Sequence, residues 1–98
     1  NVYPKEVELL IDDMDGVVES AVIGVPHPDF GEAIVAVVVP EKDAELSVEK
    51  ITLALADRLA RFKQPKAVIM AEALPRNTMG KVQKNILRER FKDLFSVL

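Results

Sequence analysis

The sequence has no cysteine and no tryptophan. Disulfide scaffolds, zinc ribbons and thiol catalysis are thereby excluded. A single histidine, His27, rules out a multi-histidine metal site built from this chain alone. Long apolar runs are also missing. The longest, residues 33–39, falls far short of the roughly 20 residues that span a bilayer. No basic-then-apolar signal segment opens the chain, which begins at Asn1. It is expected to be a piece of a longer soluble, cytoplasmic protein. Positive charge is scarce in one half only. Residues 1–49 carry Lys5 and Lys42 against twelve acids, whereas residues 50–98 carry eleven Lys or Arg against four, for an overall charge of −3. A basic half of this kind suits phosphate, nucleic acid or an acidic partner. Two oppositely charged halves can equally attract each other within one fold.

What is present describes one small domain. The 98 residues are 49% hydrophobic and 30% charged, which argues for a packed core and against disorder. Pro4 is placed to open a helix, and Val7, Leu10, Ile11 and Met14 follow as one apolar stripe until Asp15-Gly16 ends it. Residues 17–25 and 33–39 are rich in Val and Ile without clean alternation, the pattern of central strands covered on both faces. The linker Pro26-His27-Pro28-Asp29-Phe30-Gly31 is dense in turn formers and permits antiparallel pairing. Ser47 caps a second helix, Leu46 and Ile51 have the spacing of a hydrophobic staple, and the stripe continues through Leu55, Leu59 and Phe62 before Pro65. Residues 68–71 read as a third strand. A last helix begins near Lys84, burying Leu87, Phe91, Leu94 and Phe95, and the final residues fray. The predicted fold class is α+β, a small three-stranded sheet with helices on both faces.

The loop Pro75-Arg76-Asn77-Thr78-Met79-Gly80-Lys81 carries the strongest chemical signal. Pro75 stiffens its entry, Gly80 permits backbone geometry that other residues resist, and Lys81 is a mobile point charge beside that glycine. Arg76 and Lys84 are expected to add positive potential nearby. Such a loop suits a visiting phosphate or carboxylate. It is not a Walker A loop, because Pro75 and Val82 occupy positions where that motif requires Gly and Ser or Thr. A plain β-turn with a solvated lysine is the competing reading. His27 reads as a solvated loop residue, Asp29 and Glu32 as turn and strand-entry residues, and Asp12, Asp13 and Asp15 as a solvated helix end without calcium-loop spacing. No aromatic interleaving accompanies Arg58, Arg61, Lys63 and Lys66, so the signature of an RNA-binding sheet is missing. No metal site is expected within the chain.

Four segments in order resemble a known family. They are Asn1-Val2-Tyr3-Pro4-Lys5-Glu6-Val7-Glu8; Ala21-Val22-Ile23-Gly24-Val25-Pro26 with Asp29-Phe30-Gly31-Glu32; Phe62-Lys63-Gln64-Pro65; and Pro75-x-x-x-x-Gly80-Lys81. Together they are similar to the small C-terminal domain of the adenylate-forming (ANL) enzymes: acyl-CoA synthetases, peptide-synthetase adenylation domains and luciferase. The stretch from Leu74 to Asn85 is most like that of malonyl-CoA synthetases.

The resemblance implies that residues 1–98 form a single lid domain, with a hinge and a large N-terminal domain upstream. That N-terminal domain is the implied holder of most contacts to ATP and Mg2+ and of the residues that choose the acid, malonate being favoured. The implied reaction has two steps. A carboxylate attacks ATP to give an acyl-adenylate and pyrophosphate, and CoA then displaces AMP after the small domain rotates. Lys81 is the implied adenylation lysine, supported by Pro75, Arg76, Asn77, Thr78, Met79 and Gly80. Lys81 is also a candidate for reversible acetylation, with a protein lysine acetyltransferase and deacetylase as partners. The chain alone is expected to be inactive, and neither nucleic acid nor membrane is an expected partner. The alternatives are an adenylation domain that loads a carrier protein, or a non-catalytic interaction or nucleic-acid-binding module.

Overall fold

A helix opened by proline, two valine-rich strands and a capped second helix build the first two-thirds of the chain. The computed structural model describes residues 3–96; Asn1 and Val2 of the family-like opening segment, and the last two residues, expected to fray, lie outside the described residues. Helix α1 spans Pro4–Asp12 with the proline at its start, and buries Val7 and Ile11. It stops two residues before Met14, whose N–H donates to the Ile11 carbonyl at 3.0 Å. Gly16, at φ +88°, then turns the chain into β1 (Val17–His27). Strand β2 (Gly31–Pro40) returns antiparallel, in register from His27 opposite Gly31 to Val17 opposite Pro40, with one irregularity between Val17 and Glu19.

Helix α2 covers Val48–Ala56. The Ser47 hydroxyl caps it by accepting the Lys50 N–H at 3.1 Å, and Leu46 and Ile51 pack into one cluster, as a staple requires. The crossover leads to β3 (Ala67–Met70), which runs parallel to β2, so the sheet order is β1-β2-β3. β2 is therefore the central strand, and its unbroken buried run Val35 to Val39 shows it. β1 does not share that place: it is an edge strand. It still lacks a clean alternation because both its faces are covered, with Val22 on the α1–α2 side and Ala21, Ile23 and Val25 on the other.

Helix α3 (Lys84–Phe91) closes that second side through Leu87. Two expected core residues lie outside. Phe62 is 68% exposed because α2 unwinds after Ala56, so the 3.6-residue spacing no longer holds and Phe62 falls in a 3-10 turn, Arg61–Lys63. The Gln64 amide fixes that exit by donating to the carbonyls of Leu55 and Leu59 at 2.8 and 3.0 Å. Leu94 is 43% exposed, since α3 ends at Phe91, while Phe91 and Phe95 stay half-buried. Of the four ion pairs among the described residues, three join the acidic half to the basic half: Glu6–Lys63, Glu8–Lys84 and Glu19–Arg76. Part of the charge division is thus used inside the fold. No helix among the described residues is long and apolar enough to cross a membrane.

Candidate functional site

Residues 75–83 form a small hairpin rather than an irregular loop. Arg76 pairs with Val82 as an antiparallel bridge, and the Gln83 N–H donates to the Pro75 carbonyl at 2.8 Å. Asn77 organises the tip. Its Oδ1 accepts the N–H groups of Met79 and Lys81, both at 2.9 Å. Its backbone N–H donates to the Lys81 carbonyl at 3.0 Å, and its carbonyl accepts the Gly80 N–H at 2.9 Å. This is the local side-chain-to-backbone bonding that favours Asn in turns. Gly80, at φ +81°, supplies the left-handed residue that lets the tip close.

The hairpin is tied to the body by two cations. Arg76 donates through Nη1 to the Gly80 carbonyl at 2.6 Å and through Nη2 to Glu19 on β1. Lys84, at the start of α3, meets Glu8 Oε2 at 2.7 Å. The same Glu8 oxygen accepts the Val22 N–H at 2.7 Å. A buried carboxylate is thereby matched with one cation and one amide, and an unpaired donor on the edge strand is satisfied. The outcome corrects one expectation. Arg76 and Lys84 do not add free positive potential, because each is neutralised by an acid of the first half.

Lys81 is different. It is exposed, and among the described residues no carboxylate lies within ion-pair distance of its ammonium. It faces an open groove shared with Lys5, Glu8, Glu19, Arg76 and Lys84. The arrangement is a free cation on a backbone fixed by hydrogen bonds, suited to meeting an anion presented by another body. Of the other loop residues, Thr78 and Met79 are exposed at the tip, Met79 at 89%.

Asp12 lines the same groove, and the other candidates described next lie apart from this hairpin. His27 is half-buried and structural rather than merely solvated. Its Nδ1 accepts the N–H of Asp29 at 3.1 Å and of Phe30 at 3.4 Å, and its ring lies between Phe30 and Phe95 at centroid distances of 4.5 and 5.0 Å. Asp12 accepts the Ser20 hydroxyl at 2.7 Å. Lys66 sits 4.5 Å over the Phe30 ring. Sequence reasoning missed Glu8 and Glu19. Their partners are far away in the chain, Arg76 standing 57 residues from Glu19, so no local spacing announces the pairs.

Comparisons with known proteins converge on one family. The family model described as the AMP-binding enzyme C-terminal domain matches residues 6–81. A long-chain-fatty-acid–CoA ligase of Mycobacterium tuberculosis is 48% identical over 91 residues, covering 93% of this chain and 18% of the relative. A 3-[(3aS,4S,7aS)-7a-methyl-1,5-dioxo-octahydro-1H-inden-4-yl]propanoyl:CoA ligase of Rhodococcus jostii is 48% identical over 92 residues, covering 94% of this chain and 18% of the relative. The crystal structure of ATP-bound MatB from Rhodopseudomonas palustris superposes with a TM-score of 0.96 at 59% identity, covering 98% of this chain and 19% of that one. The chain thus spans under a fifth of the length of the relatives it matches.

Proposed function

The chain belongs to the AMP-binding enzyme C-terminal domain family, and from that premise we propose that it is the mobile small domain of an acid–CoA ligase in which Lys81 serves the adenylation step. One observation carries the reading: Lys81 has no ion-pair partner among the described residues and sits on a pinned hairpin, while Arg76 and Lys84 beside it are each paired with a carboxylate. In the first step a carboxylate oxygen attacks the α-phosphorus of ATP. An O–P bond forms, and the P–O bond to pyrophosphate breaks. Both reactants are anions, so their repulsion raises the barrier. An ammonium group held between them offsets the repulsion and stabilises charge gathering on the phosphate oxygens. In the second step the CoA sulfur attacks the acyl carbon, the C–O bond to AMP breaks, and the thiol proton leaves to solvent. Rotation of a rigid small domain delivers Lys81 for the first step and withdraws it for the second.

Magnesium finds no ligand set in this groove. Of the carboxylates lining it, Glu8 and Glu19 are committed to Lys84 and Arg76 and Asp12 accepts the Ser20 hydroxyl, so a hard dication would have to displace these partners. The magnesium ligands, like the nucleotide and acid pockets, belong to the N-terminal domain, and the 98 residues alone are inactive. Two relatives equally similar in this region bear names with different acids. That fits an acid chosen elsewhere in the protein. Malonate is the acid we favour, from the likeness of residues 74–85 to malonyl-CoA synthetases and the 59% identity with MatB. The CoA-ligase names favour free CoA over a carrier protein as acceptor. The exposed Lys81 ammonium is also a fitting target for reversible acetylation, which removes the charge the step depends on. A mass increase at Lys81 after incubation with acetyl-CoA and a protein acetyltransferase checks this point.

The central test is pyrophosphate release by the full-length protein with ATP and CoA, across malonate, methylmalonate, acetate and longer acids. Lys81→Ala is expected to lower adenylation about 10²–10³-fold and to spare thioester formation from a supplied acyl-adenylate. Release with another acid discards malonate and keeps the mechanism. Equal loss in both half-reactions sinks the role given to Lys81.

A further inference from the structure

Lys81 is held by more than its own hairpin. The peptide unit that precedes it has two polar groups, the Gly80 carbonyl and the Lys81 N–H. The carbonyl accepts from Arg76 Nη1 at 2.6 Å, and the N–H donates to Asn77 Oδ1 at 2.9 Å. Asn77 belongs to the hairpin and moves with it. Arg76 does not stop there: its second terminal nitrogen reaches Glu19 on β1. The guanidinium therefore ties the peptide carrying Lys81 to the sheet. A planar fork can meet two acceptors in this way, whereas an ammonium offers a point charge without that geometry.

We infer that Glu19 is a positioning residue for Lys81, acting through Arg76. The inference rests on the adenylation role given to Lys81 above. Three features support it. Glu19 stands where the β1–β2 register shifts between Val17 and Glu19, an irregularity of the kind that re-aims a strand side chain. Its side chain is 26% exposed, enough shielding for the pair to be screened less than a fully exposed one. Neutralising Arg76 also keeps that guanidinium from competing with Lys81 for the incoming anions. Loss of Glu19 thus acts twice: the Gly80–Lys81 peptide loses its link to β1, and a freed arginine enters the groove beside the reacting phosphate.

The test uses the full-length ligase with five variants: Lys81→Ala, Glu19→Ala, Glu19→Gln, Arg76→Ala and the Glu19→Ala/Arg76→Ala double variant. Adenylation is read by pyrophosphate release, and thioester formation is read from a supplied acyl-adenylate. Glu19→Ala is expected to lower the adenylation kcat about tenfold, the scale of a small misplacement of a catalytic group. KM for ATP and acid changes less than about twofold, and thioester formation keeps its rate. Glu19→Gln falls between, because the amide oxygen still accepts from Arg76. The double variant is no slower than Arg76→Ala alone, since Glu19 acts only through Arg76. Unchanged adenylation in Glu19→Ala, while Lys81→Ala is impaired, overturns the inference. A parallel fall of both half-reactions overturns it too, because that is the mark of general structural loss. Unimpaired adenylation in Lys81→Ala is a separate result and overturns the role of Lys81 itself.

Discussion

Two tight turns in this domain use the same device with different holders. In the β1–β2 turn, His27 Nδ1 accepts two backbone N–H groups and Gly31, at φ +75°, follows. In the hairpin of residues 75–83, Asn77 Oδ1 accepts two backbone N–H groups and Gly80 sits at φ +81°. The surroundings differ. In the first turn the imidazole is flanked by Phe30 and Phe95, and Phe95 packs on the α3 side of the core. The second stands clear at its tip, with Met79 almost fully exposed; its base is anchored by Val82 against the α3-side core and by the ion pairs of Arg76 and Lys84. At their tips, one turn adds aromatic packing to its hydrogen bonds, whereas the other relies on polar bonds. A polar fastening leaves a lysine free to reach outward while its backbone stays fixed.

The comparison breaks most sharply at the two holders. Asn77→Ala removes both acceptor bonds at the tip and frees Lys81 to wander. Adenylation in the full-length protein is expected to fall about 10–100-fold, as when a catalytic group is misplaced by around 1 Å. Asn77→Asp keeps the acceptor but sets a negative charge beside Lys81 and the incoming anions, so it is expected to recover only part of the rate. His27→Ala removes the matching bonds from the other turn and leaves pyrophosphate release within about twofold. If His27→Ala slows adenylation as much as Asn77→Ala, the two turns are not functionally separate and the contrast fails.

The glycines extend the test at a smaller scale. Neither Gly31 nor Gly80 has an atom within 4 Å of where a Cβ would stand, so steric contact does not distinguish them. An alanine at either position meets only the left-handed backbone penalty, about 1–2 kcal/mol. Urea unfolding is expected to give equal losses for Gly31→Ala and Gly80→Ala within about 0.5 kcal/mol. Only Gly80→Ala lowers adenylation, because only that strain sits next to Lys81.

Much of this was legible from the chain itself. Pro4, Ser47 and the Leu46–Ile51 staple marked helix starts by local chemistry, and the structure places α1 and α2 there. The hairpin and Lys81 stood out because proline, glycine and lysine fell together. Three things stayed hidden, each for a physical reason. Phe62 and Leu94 kept helical spacing after their helices had ended, and periodicity does not report where a helix unwinds. β1 looked like a central strand because α1 and α3 cover both faces of an edge. The pairs Glu19–Arg76 and Glu8–Lys84 join residues that only folding brings together. Charge imbalance between the halves hinted that such pairs exist, but could not say which.

The smallest expected effect probes the packed turn from the side of Phe95. Phe95→Leu keeps an apolar side chain against the core and removes only the ring that lies 5.0 Å from the imidazole. Ring–ring contacts contribute about 0.5–1.5 kcal/mol beyond area burial. For a domain of this size each kcal/mol corresponds to roughly 4–8 °C in Tm. A loss of a few degrees is therefore expected in thermal melts of Phe95→Leu, with pyrophosphate release in the full-length protein unchanged. Met79→Ala is the counterpart on the hairpin. Its side chain is 89% exposed, so stability should move by no more than about 0.5 kcal/mol. If Phe95→Leu melts like the parent while Met79→Ala melts lower, packing holds the hairpin rather than the β1–β2 turn, and the assignment of the two fastenings is reversed.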